Sequence, residues 1–468
     1  MTVYMEYEEA IHVFKRLKMS ILGLNLRRRD FNALLLALSL ISSRAHAAYS
    51  LRRSITFSDY LGMNTPFIMF PLEVQKAQIR RMTELGLKWV RIDLHWYYLE
   101  PAQGQYDFVW LDALVPELQK AGLQPLVYVV GSARYASMAP PDALNIDQYP
   151  PRNPADLANL MSLLARRYPH VTCWQIWNEP NINPFWQPKE DPVAYAKLLA
   201  TVVPAVRQAA PDSTVVMAGM AYFSQMPLQG GLMLQELGKL NALSLTDVVG
   251  YHPYTDMPEG DPDPAEPKGI ALASIRMQMV NSWLRAAGVQ QIWATEWGWS
   301  TYQGEKVWQT IIDEHAQANY LLCRLVLMME QDFDRIFWFA LMDMDERVER
   351  RDRFYGLITQ KAEAKPSFTA LKNFLNVTGD RLDPADFPSF IKTTASYRFS
   401  WKKTDGNFLI FFWGAAGQSI ELMRPGNYVL HHPVTGGRQL VKTGINIAVT
   451  PDFQILEIQT SQDRSSLQ

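Results

Sequence analysis

The feature that most constrains the fold is a rhythm that runs from about Leu61 to Asn376. Short apolar, β-branched or aromatic runs alternate there with longer segments whose apolar residues recur every three or four positions. Alternation between a strand pattern and a helical one implies βαβ units and a parallel sheet. The strand-like runs are Gly62–Phe70, Trp89–Asp93, Pro125–Val130, Thr172–Ile176, Thr214–Ala218, Asp247–Tyr251, Gln291–Thr295 and Arg335–Phe339. Between them lie helix-like stretches such as Val74–Leu85, Ala155–Arg167, Pro192–Ala209 and His315–Glu330. Eight such units fit a (β/α)₈ TIM barrel of the α/β class better than an open doubly wound sheet. No glycine-rich dinucleotide fingerprint follows the first run.

After Asn376 the pattern changes. The runs Tyr397–Trp401, Asn407–Trp413, Tyr428–His431 and Ile445–Val449 are short and separated by turn residues such as Asp405-Gly406 and Gly436-Gly437, an antiparallel signature. Residues from about Asp380 to Gln459 therefore read as a β-sandwich, with a few early strands able to come from elsewhere in the chain. The expected organisation is a signal region over 1–47, a catalytic barrel over 55–378 and the sandwich over 379–468. The Pro- and acid-rich loop Met257–Pro264 follows the sixth strand, on the side where barrel enzymes keep their substrate loops.

Composition closes off other classes. A chain of 468 residues is too long for one small domain, and with 48% hydrophobic and 20% charged residues it can bury a sizeable core. A net charge of −2 with scattered Lys and Arg lacks the footprint a phosphate backbone demands, so no nucleic-acid partner is expected. The 14 Trp offer flat indole faces that suit sugar rings as well as cores. Near the start, Arg27, Arg28 and Arg29 precede the apolar run Ala33–Ile41 and the small-residue site Ala45-His46-Ala47. This reads as an export signal cut after Ala47, and Arg28-Arg29-Asp30-Phe31 resembles a twin-arginine signal. The run is short for a membrane span, so the expectation is a soluble, periplasmic or extracellular protein with no stable span after cleavage. Cys173 and Cys323 give no zinc-site spacing and read as reduced core residues.

In a barrel, groups that meet over the active site lie at the C-terminal ends of strands, whatever their separation in sequence. Two runs bring a carboxylate to such a place. Trp174-Gln175-Ile176-Trp177-Asn178-Glu179-Pro180-Asn181 ends the fourth strand, and Ile292-Trp293-Ala294-Thr295-Glu296-Trp297-Gly298-Trp299 ends the seventh. Two carboxyls facing one another are what retaining glycoside hydrolysis needs, about 5–5.5 Å apart.

Trp-Asn-Glu-Pro after the fourth strand and Thr-Glu-Trp-Gly after the seventh resemble the signature of clan A glycoside hydrolases. The resemblance spans the barrel. It implies that Glu179 is the general acid/base, that Asn178 hydrogen-bonds the sugar 2-hydroxyl, and that Glu296 forms the glycosyl-enzyme. Tyr98-Leu99-Glu100-Pro101 with Gly104-Gln105-Tyr106-Asp107 is similar to the loop after the second strand in family 39, where Glu100 is expected to anchor the loop. Signal, barrel and sandwich together look most like the exopolysaccharide-associated PslG-type glycosidases.

Other residues acquire candidate roles. Glu296 is expected to raise the pKa of Glu179, while cations and hydrogen bonds keep Glu296 ionised. Arg91 is the candidate cation, with a structural ion pair as its alternative. His252 and Tyr254 resemble the clan's positions that hydrogen-bond the nucleophile and ring hydroxyls, and His252 could instead be a satisfied structural histidine. Trp338 is the candidate aromatic platform under the sugar, and Trp297 and His95 are candidate substrate contacts, although core packing and rim support are open for each. This chemistry needs no metal and no organic cofactor. The expected activity is a retaining β-glycosidase acting on an oligo- or polysaccharide, endo-acting on an exopolysaccharide. An exo-acting β-xylosidase-like enzyme and a silent carbohydrate-binding protein remain as alternatives.

Overall fold

Eight parallel strands, each followed by a helix, close on themselves in a computed structural model of the chain. The structure describes residues 52–460 apart from 222–226, 229–230, 262–271 and 306–308, so the signal region expected over 1–47 and residues 262–264 of the acidic loop lie outside the described residues. The strands are β1 (Leu61–Asn64), β2 (Trp89–His95), β3 (Gln124–Val130), β4 (Cys173–Ile176), β5 (Thr214–Met217), β6 (Val248–His252), β7 (Gln291–Trp297) and β8 (Arg335–Trp338). The helices are α1 (Leu72–Glu84), α2 (Val109–Lys120), α3 (Pro154–Arg167), α4 (Pro192–Ala209), α5 (Met233–Lys239), α6 (Ala273–Ala286), α7 (Glu314–Met329) and α8 (Pro366–Thr378). Each strand pairs in parallel with the next, and β8 pairs with β1 to seal the ring. The first strand is shorter than its apolar run suggested. Pro66 has no backbone N–H to offer, and a 3₁₀ turn over Phe67–Met69 carries the chain away.

Local chemistry sets the helix starts. Asn153 and Asp191 accept backbone N–H groups at the heads of α3 and α4, each ahead of a proline whose missing donor costs nothing there. Asp313 does the same for α7.

The inward faces of the strands are graded. At the N-terminal end Trp89, Leu126, Cys173, Val216, Val248, Trp293 and Phe337 form a closed apolar plug, one side chain from each of β2 to β8. Strand β1 contributes Gly62, where a Cβ would lie 2.5 Å from the Phe337 ring; the missing side chain is what admits that ring. Two residues further along the same faces the character turns polar, with Asn64, Arg91, Gln175 and Thr295 all buried. Polar groups held inside an otherwise apolar barrel need partners, and the site below supplies them.

The C-terminal part is two antiparallel sheets. Strands β9 (Arg381–Pro384), β11 (Tyr397–Lys403), β12 (Phe408–Trp413), β17 (Gln454–Gln459), β14 (Asn427–His432) and β15 (Gly437–Val441) lie side by side in that order, with the two-residue strand Ile55–Thr56 added beside β9. An early segment thus does join this sheet. Strands β10 (Ile391–Thr393), β13 (Ser419–Leu422) and β16 (Asn446–Ala448) make the second sheet. Strand β12 is buried on both faces: Ile410 and Phe412 enter the core between the sheets, while Leu409, Phe411 and Trp413 enter the core shared with the barrel. Phe411 packs 5.6 Å from Phe374 of α8, and the Trp413 indole donates to Glu259 in the loop after β6 at 2.7 Å. Cys173 and Cys323 are buried and free.

Candidate active site

Arg91 organises the centre of the barrel mouth. Its guanidinium is fully buried, a position tolerated only when its donors are met. Nη1 donates to Asn64 Oδ1 at 2.7 Å and to Glu296 Oε1 at 2.6 Å, Nη2 to Asn178 Oδ1 at 2.7 Å, and Nε to Gln175 Oε1 at 3.0 Å. The plane also lies 3.9 Å over the Tyr128 ring. Gln175 and Asn64 are braced in turn, through Trp177 O and through Thr295 O and Trp338 O. Because Arg91 fixes the oxygen of Asn178, the amide nitrogen is the arm left to face outward, and no described residue bonds it.

The two glutamates reach the mouth by local departures from regular strand. After β4, Trp177 and Glu179 both adopt left-handed backbone, φ 73° and 40°, conformations that cost on the order of 1–3 kcal/mol each in a non-glycine residue. Backbone bonds hold the turn: Trp177 N–H donates to Val129 O and Glu179 N–H to Gly219 O. On β7 the alternation would send Glu296 away from the inward set Trp293, Thr295, Trp297. The register against β8 shifts between Ala294 and Trp297, the kind of irregularity that re-aims a side chain.

The result is a close triad of groups. Oxygens of Glu179 and Glu296 and a ring nitrogen of His252 all lie within 4.8 Å of one another. His252 Nδ1 is 2.6 Å from Glu179 Oε1 and 3.6 Å from Glu296 Oε2, and Nε2 is 3.0 Å from Thr295 Oγ1. Tyr254 donates its hydroxyl to Glu296 Oε2 at 3.1 Å. Glu296 therefore has a cation on one oxygen and a phenol on the other. His252 was expected to serve the nucleophile; its close partner is instead Glu179.

Burial pushes the Glu179 carboxyl up to about 8, opposed by Arg91 and aided by Asp352. The expected lift from Glu296 is not among the causes, of which burial is the largest. Burial also drives the His252 imidazole down to about 4, so the ring is neutral where Glu179 holds its proton.

The aromatic candidates fare differently. Trp338 has no accessible surface; it stands edge-to-face with Trp297 at 4.9 Å and donates to Ala340 O. It backs the site and offers no platform face. Trp297 is equally sealed, and its indole N–H is buried without a partner among the described residues, so the direct contact expected for it is not presented. His95 bonds Asp93 at 3.3 Å and packs against Tyr98, which is 64% exposed at the rim. Burial opposes protonation of His95, but Asp93 outweighs it and raises its pKa. Glu100 anchors its loop, accepting from Trp96 Nε1 and Gly104 N.

Sequence reasoning missed Asn64, Gln175, Thr295 and Gly219. The first three had a readable signal, a polar residue inside an apolar strand. Gly219 is set by space: a Cβ there would lie 2.1 Å from His252 Nε2. Glu179, His252 and Glu296 could also chelate a cation. Such an ion would have to sit against the Arg91 guanidinium, which already supplies the positive charge, so the donor set fits a metal poorly.

Residues 68–159 match the family described as beta-galactosidase, Glyco_hydro_42. That stretch carries Arg91 and Glu100 but neither Glu179 nor Glu296. The beta-galactosidase BbgII of Bifidobacterium bifidum is 30% identical over 131 residues, 24% of this chain and 19% of that protein. The chain thus spans about a fifth of the length of the curated relative it matches. Among solved structures, a family 39 glycoside hydrolase from Bacteroides cellulosilyticus WH2 superposes with a TM-score of 0.66 at 19% identity, covering 87% of this chain and 81% of that one. A monomeric beta-xylosidase from Caulobacter crescentus CB15 gives 0.60 at 17% identity, covering 88% and 98%. At these identities the likeness establishes the fold, a closed parallel barrel with antiparallel sheets at its C-terminal end.

Proposed function

We propose that the chain is a retaining β-glycosidase with Glu296 as nucleophile and Glu179 as general acid/base. The observation that carries this reading is the carboxyl pair: oxygens within 4.8 Å of each other fit the roughly 5–5.5 Å separation of a retaining pair better than the roughly 6.5–9.5 Å of an inverting one. In the first step Glu296 attacks the anomeric carbon while Glu179 gives its proton to the departing oxygen. In the second, Glu179 takes a proton from water as that water displaces Glu296 and frees the sugar. Asn178 offers its amide nitrogen to the substrate, and Arg91 and Tyr254 hold Glu296 on line.

The substrate we favour is a polysaccharide outside the cytoplasm, cut internally. The reading rests on the export-like N-terminal sequence and on the exposed aromatic Tyr98 just after β2, with the PslG-type resemblance in support. No helix among the described residues is long and apolar enough to cross a membrane. An exo-acting reading draws on the beta-xylosidase and beta-galactosidase names among the similar proteins. Incubation with 2-deoxy-2-fluoro glycosides of galactose, glucose, mannose and xylose, and their oligosaccharide forms, followed by intact-mass and peptide mapping, tests the mechanism. An adduct on Glu296 is expected. Absence of label with every probe would leave a silent carbohydrate-binding protein as the better account.

A further inference from the structure

Arg324 of α7 is, like Arg91, a fully buried arginine, and the double displacement gives it no part. Its guanidinium is met by backbone oxygens and a hydroxyl rather than by a carboxylate. Nη1 donates to Pro253 O at 2.7 Å, Nε to Pro258 O at 2.8 Å and Nη2 to Met257 O at 3.2 Å, and Nη2 also bonds Thr255 Oγ1. The Trp299 ring lies 5.3 Å from the guanidinium, and its indole N–H is shared between Thr255 O and Asp256 O at 3.1 Å each. A charge taken wholly out of water is costly unless its donors are met. What the arginine supplies in return is geometry, because its rigid fork of donors binds acceptors spread along the loop after β6 from Pro253 to Pro258.

Within that loop the peptide unit between Pro253 and Tyr254 is held at both ends. Its oxygen accepts from Arg324, and its N–H donates to His252 O at 2.9 Å. From this fixed plane the Tyr254 ring runs edge-on to His252 and to Tyr355, with centroids 6.3 Å from each. It ends in the hydroxyl that donates to Glu296 Oε2 at 3.1 Å. Gln309 Nε2 and the Trp299 indole grip the chain after Tyr254, at Thr255 O and Asp256 O; Arg324 grips it before, at Pro253 O.

We propose that Arg324 is a positioning residue for the nucleophile: it fixes the segment 253–258 so that the Tyr254 hydroxyl meets Glu296, and it acts on the chemistry through that hydroxyl. The inference rests on the glycosidase reading above. Its test is a double-variant cycle of Arg324→Met and Tyr254→Phe, with circular dichroism to establish that each protein is folded. The quantity read is the rate constant for labelling of Glu296 by whichever 2-deoxy-2-fluoro glycoside of galactose, glucose, mannose or xylose, or oligosaccharide form of one, marks the wild type fastest. Loss of one hydrogen bond to a charged acceptor should slow Tyr254→Phe about ten- to hundred-fold. Arg324→Met should lose at least about five-fold by itself, yet add less than about two-fold in the Tyr254→Phe background, since effects routed through one hydroxyl are not additive. Arg324→Lys keeps the charge without the fork and should fall between Arg324→Met and the wild type; if the methionine variant does not fold, the lysine variant takes its place in the cycle. Losses that multiply in the double variant would make Arg324 a residue of general packing and overturn the proposal, as would labelling of the single Arg324 variant at the wild-type rate. A wild-type chain that takes no label from any probe removes the glycosidase reading, and this proposal with it.

Discussion

His252 and Glu179 share a single 2.6 Å hydrogen bond, so the proton on one fixes the state of the other. With Glu179 protonated, its O–H donates to Nδ1 and the ring presents Nε2–H to Thr295 Oγ1, 3.0 Å away. Once Glu179 has given up its proton, the ring must take its other tautomer, with the proton on Nδ1 toward the carboxylate and bare Nε2 accepting from the threonine. Thr295 can serve both states because a hydroxyl both donates and accepts.

The activity profile should carry the mark of this pair. Glu179 must be protonated to act as acid, and burial holds its carboxyl up to about 8. The expected kcat/KM therefore falls as pH rises through about 8, and Glu179→Gln removes that limb. A rate that stays level well above this value in the wild type would contradict the assignment.

Stability should follow the same group with a definite sign. The folded pKa, about 8, exceeds the ordinary value of 4.5, so the folded state binds more protons across that interval. Its stabilising contribution is complete below 4.5 and is lost as pH rises through about 8. Thermal melting of Glu179→Gln against wild type should show the variant gaining relative stability between pH 5 and pH 8.5; a constant difference would sink the claim.

Removing the acid and removing the nucleophile should differ by leaving group. Glu179→Gln should lose about 10²- to 10⁴-fold on unactivated glycosides and far less on 2,4-dinitrophenyl glycosides, which depart without a proton. Glu296→Ala should be inactive on both, since no glycosyl-enzyme can form. Parallel losses for the two variants on the activated substrate would argue against distinct roles.

Arg91→Met isolates the cost of the buried charge. It strands Glu296 in the barrel with its cation gone, and breaking a buried pair from one side costs about 3 to 5 kcal/mol. Urea unfolding of Arg91→Met beside the double variant Arg91→Met/Glu296→Gln checks this: the double variant should recover much of the loss.

Gly219→Ala tests the packing under the triad. The added methyl would meet His252 and Thr295, and forced overpacking of this kind costs typically about 1 to 3 kcal/mol. Calorimetry should show a lower melting temperature together with reduced kcat; an unchanged melt would mean that the ring can move aside freely.

Much of the barrel was legible because its signals are local. The apolar runs from Trp89 to Phe339 correspond to strands β2 to β8 with edges off by one or two residues, and Pro192–Ala209 is the helix as written. The two glutamates were legible for the same reason, each standing where an apolar strand gives way to a loop. The partner of His252 was not, because proximity to Glu179 arises from left-handed backbone at Trp177 and Glu179 that neither residue type advertises. Nor was the sealing of Trp297 and Trp338, which depends on how three indoles share one space. In the sandwich, β15 was invisible because four of its five residues are exposed and carry no apolar alternation.

Strand β12 makes the two halves of the molecule inseparable. With one row of its side chains in the sandwich and the other in the barrel, neither half has a finished surface without it. Cutting the chain after α8 would bare Phe374 and the apolar flank around it, and the product would be a sticky fragment rather than a smaller enzyme. Heating should melt barrel and sheets together in one cooperative transition. For anyone reshaping this protein, the sheets are scaffolding to be kept, and variation belongs in the loops above β1 to β8.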